Sequence, residues 1–230
     1  MSSLSNDTLK SLQGRLIVSC QTQAPLNNPS YIADLATVMV ESGAAALRLD
    51  GPESIAAVRE RIQTPIIGIY KQRSDAYQIY ITPTCSAAQK VIDAGADIVA
   101  LDGANAPRPD GSTLDTLIAY VHDAGALVMA DVSTYEEGCR AAEAGADIVA
   151  TTLSGYTPYS PQQTEPDLAL LTALARDLEV PVIAEGRYNT PDLVRTAFEG
   201  GAFAVVVGRA ITEPRFIVEA FLRAAPSGQS

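Results

Sequence analysis

A seven-residue sequence, AGADIVA, occurs twice in the chain, at Ala94–Ala100 and at Ala144–Ala150. The same order of a small residue, glycine, alanine and an apolar run recurs in Glu41–Leu49, Asp123–Asp131 and Glu199–Gly208. In each segment the glycine stands where a helix needs a left-handed C-cap, and the apolar run behind it is typical of a parallel strand buried on both faces. The repeat therefore predicts five helix-to-strand junctions of one kind.

Three more apolar runs complete a set of eight strands. Two follow a proline that stops the preceding helix, in Thr64–Lys71 and Val180–Gly186, and Arg15–Gln21 reads as the opening strand. Helical stretches are expected at 29–42, 52–62, 84–94, 113–123, 134–144, 166–177, 190–199 and 213–223. Eight βα units of roughly 29 residues each are enough for a (β/α)8 TIM barrel.

We therefore predict an α/β protein that is a single-domain (β/α)8 TIM barrel over residues 14–225. An N-terminal helix or tail is expected at 1–13 and a C-terminal tail at 226–230. A doubly wound open sheet is the alternative, but it usually needs a glycine-rich first turn, and the first strand here is followed by CQTQAPLNNPS.

Charge and composition exclude several classes of partner. The chain has 27 acidic and 16 basic residues, a formal charge of −11, which is the wrong sign for binding nucleic acid or an anionic membrane. No apolar run approaches the roughly 18–20 residues of a membrane span. The cysteines Cys20, Cys85 and Cys139 lack metal-ligand spacing, and His122 is the only histidine. We expect a cytoplasmic protein with no disulfide framework, no metal and no cofactor.

Polar and charged residues follow the predicted strands closely. Because the carboxyl ends of the strands build the active site of a TIM barrel, these residues are candidates for it. In chain order they are Gln21 and Gln23, Arg48 and Asp50, Lys71, Asp102, Asp131, Thr151 and Thr152, Glu185 and Arg187, and Gly208 and Arg209. Four of the 16 basic residues, Arg48, Lys71, Arg187 and Arg209, would thus gather at one mouth and suit an anionic ligand.

Lys71 and Glu185 are the strongest catalytic candidates. They end the third and seventh strands, which lie opposite each other in an eight-stranded barrel. A lysine and a glutamate can each accept or donate a proton, so the pair suits removal of a proton from one face of a carbon and return to the other. Alternatively, Lys71 is a surface lysine or an ion-pair partner of Asp131 or Glu185.

A phosphate site is expected after strands seven and eight. Gly186 with Arg187, and Gly208 with Arg209, combine a glycine that lets the backbone approach a phosphate with an adjacent guanidinium. The loop 151–167 after strand six is the longest connection, and it reads either as a lid over the pocket or as a surface loop.

The strand-end motifs resemble those of the bacterial N-acetylmannosamine-6-phosphate 2-epimerases. The segments concerned are LIVSCQ, PIIGIYK, ALDGANAPRPDG, MADVSTYEEG, DIVATTLSGYTPY, VIAEGRYNTP and AVVVGRAIT, and the match runs from about Gly14 to Phe221. The resemblance implies a TIM barrel and a cytoplasmic, cofactor-independent epimerase of sialic acid breakdown, acting on an N-acetylated amino sugar phosphate and forming a homodimer.

The resemblance also implies roles for individual residues. Lys71 and Glu185 would be catalytic; Gln21, Arg48 and Asp131 would contact the sugar or position Lys71; and Gly186, Arg187, Gly208 and Arg209 would lie in the phosphate region. From their places at the strand ends, we also expect Thr152 and Arg187 to bind the substrate. The chain differs from many members at Arg48–Gly51 and Val207–Ala210, where those read RANS and VGGAIT.

Two other functions remain open from the residues alone. Lys71 could act as the amine nucleophile of a Schiff-base sugar-phosphate aldolase. The chain could also be a non-catalytic sugar-phosphate binder that acts as a regulator.

Overall fold

Eight parallel strands close into a barrel in the computed structural model, which describes residues 3–226. Each strand pairs with the next along the chain, and β8 pairs with β1. The strands are β1 (Leu16–Ser19), β2 (Ala46–Asp50), β3 (Ile66–Ile69), β4 (Ile98–Asp102), β5 (Leu127–Asp131), β6 (Ile148–Ala150), β7 (Val182–Glu185) and β8 (Ala204–Val207). The prediction of a (β/α)8 TIM barrel is confirmed, and a doubly wound open sheet is excluded.

One helix precedes the first strand and packs Leu9 and Leu12 with the residues of the barrel interior, and the helices that follow the strands cover the outside of the barrel. The helices are α1 (Ser3–Leu12), α2 (Pro29–Glu41), α3 (Pro52–Arg59), α4 (Cys85–Asp93), α5 (Leu114–Asp123), α6 (Tyr135–Glu143), α7 (Leu168–Asp177), α8 (Pro191–Glu199), α9 (Arg209–Thr212) and α10 (Pro214–Ala224). The helical stretches predicted from the sequence coincide with α2–α8 and α10 to within a few residues. None of the helices in the described part of the chain is long and apolar enough to cross a bilayer.

The repeated junctions have the backbone conformation expected of them. The junction glycines Gly43, Gly95, Gly125, Gly145 and Gly201 all have positive φ, between 85° and 102°. Only glycine adopts this region without steric cost, so each glycine ends its helix and turns the chain into the next strand.

The aspartate of each AGADIVA repeat has a structural role as well. Asp97 accepts a hydrogen bond from the backbone N–H of Ile66 on β3, at 2.8 Å, and Asp147 accepts one from Val128 on β5, also at 2.8 Å. Asp147 also lies 2.8 Å from the Nε2 of His122. His122 is therefore part of a strand-to-strand support on the outside of the barrel.

The core has two layers. One fills the barrel interior with residues such as Ile17, Ile67 and Ile183, and the other packs the outer faces of the strands against the helices, with residues such as Val18 and Leu49. Adjacent strand residues point to opposite layers, as the two-residue period of a strand requires. The filled interior leaves the mouth at the carboxyl ends of the strands as the place for a site.

One short helix was not predicted from the sequence. Helix α9 has only four residues, too few to show a helical period. The expected C-terminal tail at 226–230 lies outside the described residues except for residue 226.

Candidate active site

A cavity of about 320 Å³ opens at the carboxyl ends of the strands. Nine of the ten residues predicted for the site line it: Gln21, Arg48, Lys71, Thr152, Glu185, Gly186, Arg187, Gly208 and Arg209. The tenth, Asp131, is fully buried and lies beneath the cavity, in contact with Arg48. The barrel therefore brings together residues that are far apart in the sequence.

Arg48 and two carboxylates form the floor of the cavity. The guanidinium of Arg48 donates to both oxygens of Asp131, and its Nη1 lies 3.2 Å from Oε2 of Glu185. The hydroxyl of Thr152 donates to Asp131 at 2.6 Å and lies 3.1 Å from Oε2 of Glu185. Two carboxylates thus share one guanidinium and one hydroxyl, which fixes the Glu185 carboxyl in place.

Burial governs the electrostatics of this floor. It raises the pKa of Glu185, an effect that Arg48 opposes and that the neighbouring carboxylate of Asp131 reinforces. Burial alone would lower the pKa of Arg48, but the carboxylates of Asp131 and Glu185 outweigh it and raise that pKa. Arg48 is therefore a fixed positive charge, and Glu185 is a carboxyl whose proton is held more tightly than in water.

Lys71 stands on the opposite side of the cavity, two residues beyond the end of β3. Its Nζ donates to Oε1 of Gln21 and lies 3.5 Å from Oδ2 of Asp50. Gln21 in turn donates to the hydroxyl of Ser19 at 2.9 Å. The side chain of Lys71 is 33% exposed, and its ion-pair partner is Asp50, not Asp131 or Glu185. The amine of Lys71 is therefore restrained by Gln21 and Asp50, and the residue still lines the cavity.

The guanidinium of Arg187 is directed toward the loop 151–167. Its Nε donates to the carbonyl of Glu165 and its Nη2 to the carbonyl of Ser154, both at 2.9 Å, and it lies 5.1 Å from the ring centre of Tyr156. The backbone makes this possible because Arg187 has φ +64° directly after Gly186 at φ +108°. Arg187 thus anchors the loop over one side of the cavity.

The rim after β8 contributes backbone and charge. Gly208 ends the barrel and precedes α9, whose first residue is Arg209. The guanidinium of Arg209 lies 5.1 Å from the ring centre of Phe216. This rim and the Gly186 turn lie side by side, because β7 and β8 are neighbours in the barrel.

Six polar or aromatic residues that line the cavity were not predicted from the sequence. They are Ser19, Arg73, Tyr80, Tyr188, Asn189 and Glu213. Arg73 and Tyr80 come from the long segment after β3, where the guanidinium lies 3.9 Å from the ring centre. Glu213 accepts from the backbone N–H of Gln23 at 2.9 Å, which joins the first loop to the start of α10. The one sequence signal for this side of the cavity is the length of the segment 71–84 after β3.

The described residues offer no cluster suited to a metal ion. Within residues 3–226, no three or more His, Cys, Asp or Glu side chains are arranged to hold one. The groups at the cavity are a carboxyl, an amine, guanidinium groups and backbone amides. Such a set can bind an anionic ligand and move protons.

Comparison with known proteins gives one consistent family. The model of a family described as "Putative N-acetylmannosamine-6-phosphate epimerase" matches residues 32–227. A relative from Clostridioides difficile, named "Putative N-acetylmannosamine-6-phosphate 2-epimerase", is 44% identical over 94% of this chain and 98% of its own length. A relative of the same name from Synechococcus elongatus is 47% identical over 94% of this chain and 95% of its own.

Solved structures agree with the sequence relatives. The N-acetylmannosamine-6-phosphate 2-epimerase of Clostridium perfringens superposes with a TM-score of 0.92 at 41% identity, covering 94% of this chain and 96% of its own. A thiamine phosphate pyrophosphorylase from Pyrococcus furiosus, at 18% identity and a TM-score of 0.58, shares the fold alone.

Proposed function

Because this chain belongs to the family of N-acetylmannosamine-6-phosphate epimerases, we propose that it interconverts N-acetylmannosamine 6-phosphate and N-acetylglucosamine 6-phosphate in the cavity at the barrel mouth. The chain is an isomerase that inverts carbon 2 of an amino sugar phosphate. The arrangement that carries the assignment of the site is the amine of Lys71 and the carboxyl of Glu185 on opposite sides of one cavity.

Proton transfer at carbon 2 is the chemistry that these two groups serve. In the open-chain sugar, the aldehyde at carbon 1 acidifies the hydrogen on carbon 2. One of the pair removes this proton, and the electrons of the C–H bond form an enolate whose negative charge rests on the oxygen of carbon 1. The other then delivers a proton to the opposite face of carbon 2, and the carbonyl re-forms.

Arg48 and Thr152 hold Glu185 for this step. Both contact its Oε2, and Asp131 holds Arg48 from below. With Glu185 fixed from beneath and Gln21 holding Lys71 from the side, neither reacting group has to reorient when the substrate binds. The raised pKa of Glu185 strengthens its affinity for a proton, which is what a base for a carbon acid needs.

The phosphate is assigned to the rim formed by Gly186, Gly208 and Arg209. Backbone amides at the two glycines can approach phosphate oxygens closely, and the guanidinium of Arg209 supplies charge. Arg187 contributes through the loop that it anchors. Neither a Schiff-base aldolase nor a non-catalytic regulator is supported by the relatives described above, which are named as epimerases.

The proposal extends to a homodimer in the cytoplasm. Helix α10 has no buried residue, and it exposes Val218, Phe221 and Leu222, which share one helical face. An apolar face of this kind is typical of an interface between subunits. The three cysteines, Cys20, Cys85 and Cys139, are all free thiols, which suits a reducing compartment.

Proton NMR in deuterated water tests the reaction and the site together. Incubation with N-acetylmannosamine 6-phosphate should give N-acetylglucosamine 6-phosphate with deuterium at carbon 2. Lys71→Ala should abolish conversion, whereas Lys10→Ala on α1 should leave it intact. Product without deuterium at carbon 2 would eliminate the deprotonation scheme, and borohydride trapping of a substrate adduct would favour the aldolase.

A further inference from the structure

Asp50 contacts Lys71 at two separate atoms. Its Oδ1 accepts a hydrogen bond from the backbone N–H of Lys71 at 3.0 Å, and its Oδ2 lies 3.5 Å from the Nζ of the same residue. Asp50 is the last residue of β2, and Lys71 stands just beyond the end of β3, where the ladder between the two strands has run out. The carboxylate therefore accepts the hydrogen bond that a strand carbonyl would otherwise accept. It also pairs with the side-chain amine, so it contacts both the backbone and the side chain of Lys71.

A second cavity gives the Lys71 side chain room to move away from the main cavity. It measures about 340 Å³, lies next to the main cavity and is lined by Gln21, Asp50, Ser54 and Lys71 among others. Lys71 and Gln21 line both cavities, so the lysine side chain stands at the boundary between them. A lysine side chain has four rotatable carbon–carbon bonds and readily occupies free space. Without a fixed partner, the Lys71 amine could turn away from the substrate.

Asp50 itself does not line the main cavity. Its side chain instead contacts the backbone N–H and the Nζ of Lys71. The amide oxygen of Gln21 accepts from the same Nζ, so Lys71 has one partner that lines the main cavity and one that does not. The two partners restrain the amine, which has a further donor position available for the substrate.

We propose that Asp50 is a positioning residue that fixes the Lys71 amine at the boundary of the two cavities. The proposal rests on the role of Lys71 in the proposed function. Catalysis depends on reacting atoms held within about 3–3.5 Å of each other, and misplacement by about 1 Å can cost about a hundredfold in rate. Loss of the Asp50 contacts to Lys71 should consequently slow the chemical step and leave substrate binding largely intact.

Steady-state kinetics on N-acetylmannosamine 6-phosphate separates these effects. In Asp50→Ala we expect kcat, per folded enzyme, to fall by about ten- to a hundredfold while KM stays within about twofold. Asp50→Asn keeps an oxygen for the Lys71 amide but loses the ion pair, so it should lie between Asp50→Ala and wild type. Asp34→Asn, which removes an exposed carboxylate paired with Arg61, is the matched control and should leave both constants unchanged.

Several outcomes would overturn the proposal. An unchanged kcat in both Asp50 variants would remove any role in catalysis, and a raised KM with unchanged kcat would make Asp50 a substrate ligand. A lower melting temperature with unchanged kcat per folded enzyme would leave it a purely structural role. If Asp50→Ala fails to fold, Asp50→Ser, whose hydroxyl can accept from the Lys71 amide, replaces it. Full activity of Lys71→Ala would instead refute the proposed function itself.

Discussion

The guanidinium of Arg48 donates to both oxygens of Asp131, at 3.1 Å and 2.5 Å, and the two side chains are 1% and 0% exposed. Planar, bidentate pairing of this kind is the arrangement in which a buried arginine and carboxylate compensate each other best. Glu185 adds a second carboxylate to the same guanidinium, so the floor of the site carries one more negative than positive group. Arg48 is the positive charge that pairs with both carboxylates, so the stability of this buried cluster depends on it.

Arg48→Met should therefore destabilise the whole protein as well as inactivate it. The substitution leaves the carboxylates of Asp131 and Glu185 buried without their counter-charge, and breaking a buried pair in this way costs about 3–5 kcal/mol. Urea unfolding at neutral pH measures this loss. Arg195→Met, which breaks an exposed pair with Asp192, should unfold like wild type. Equal stability of the two variants would contradict the prediction.

Glu185→Gln should separate catalysis from binding. Glutamine keeps the size of the side chain and can still contact Thr152, but its amide cannot take a proton from carbon 2 or return one to it. We expect kcat to fall by at least about a hundredfold, the usual scale for loss of a general acid or base, with little change in KM. The exchange of the carbon 2 hydrogen, followed by proton NMR in deuterated water, should slow in parallel. Wild-type exchange in this variant would show that Lys71 performs the transfers alone.

Asp102 should make stability depend on pH. Burial raises the pKa of its carboxyl to about 6, from an ordinary 3.8, although the backbone amides of Ala104 and Tyr80 donate to it. At a pH between these two pKa values, the carboxyl is protonated in the folded state and ionised in the unfolded state. The free energy of unfolding therefore falls as the pH rises through this range. A shift of two units corresponds to about 3 kcal/mol.

Comparison with Asp102→Asn isolates this contribution, because asparagine does not titrate. Relative to that variant, wild type should lose stability as the pH is raised from about 4 to about 7, by about 3 kcal/mol in urea unfolding. A difference between the two proteins that stays constant with pH would show that the Asp102 carboxyl titrates normally.

Much of the fold, and the placement of Lys71 and Glu185 at one cavity, could be predicted because their signals are local. The glycine of each repeated junction fixes a helix end. Lys71 follows β3 and Glu185 ends β7, and the order of these strands places them on opposite sides of the barrel. Side-chain direction leaves no such signal. Nothing in Gly186-Arg187 indicates that a positive φ turns the guanidinium toward the loop 151–167. Nor does the sequence reveal that Asp131 is covered by Arg48, since this depends on which strand residues point inward.

The anchoring contacts of Arg187 predict a local effect of its removal. In Arg187→Ala, the carbonyls of Ser154 and Glu165 lose their donor and Tyr156 loses its cation. Hydrogen exchange should therefore speed up in the loop 151–167 and remain unchanged in the strands. Arg195→Ala on α8 is the control. Unaltered exchange in the loop would show that its own hydrogen bonds, such as that from Gly155 to Ser160, suffice to hold it.

Phe221 should decide the oligomeric state. It is 75% exposed on α10, with Val218 and Leu222 beside it on the same face, and no residue of that helix is buried. If this face joins two copies of the chain, a charge at its centre is desolvated on association, which costs several kcal/mol. Sedimentation velocity should then show a dimer for wild type and a monomer for Phe221→Asp, with Arg223→Asp as a control for the added charge. A wild-type monomer, or a dimer that survives Phe221→Asp, would place the interface elsewhere or remove it.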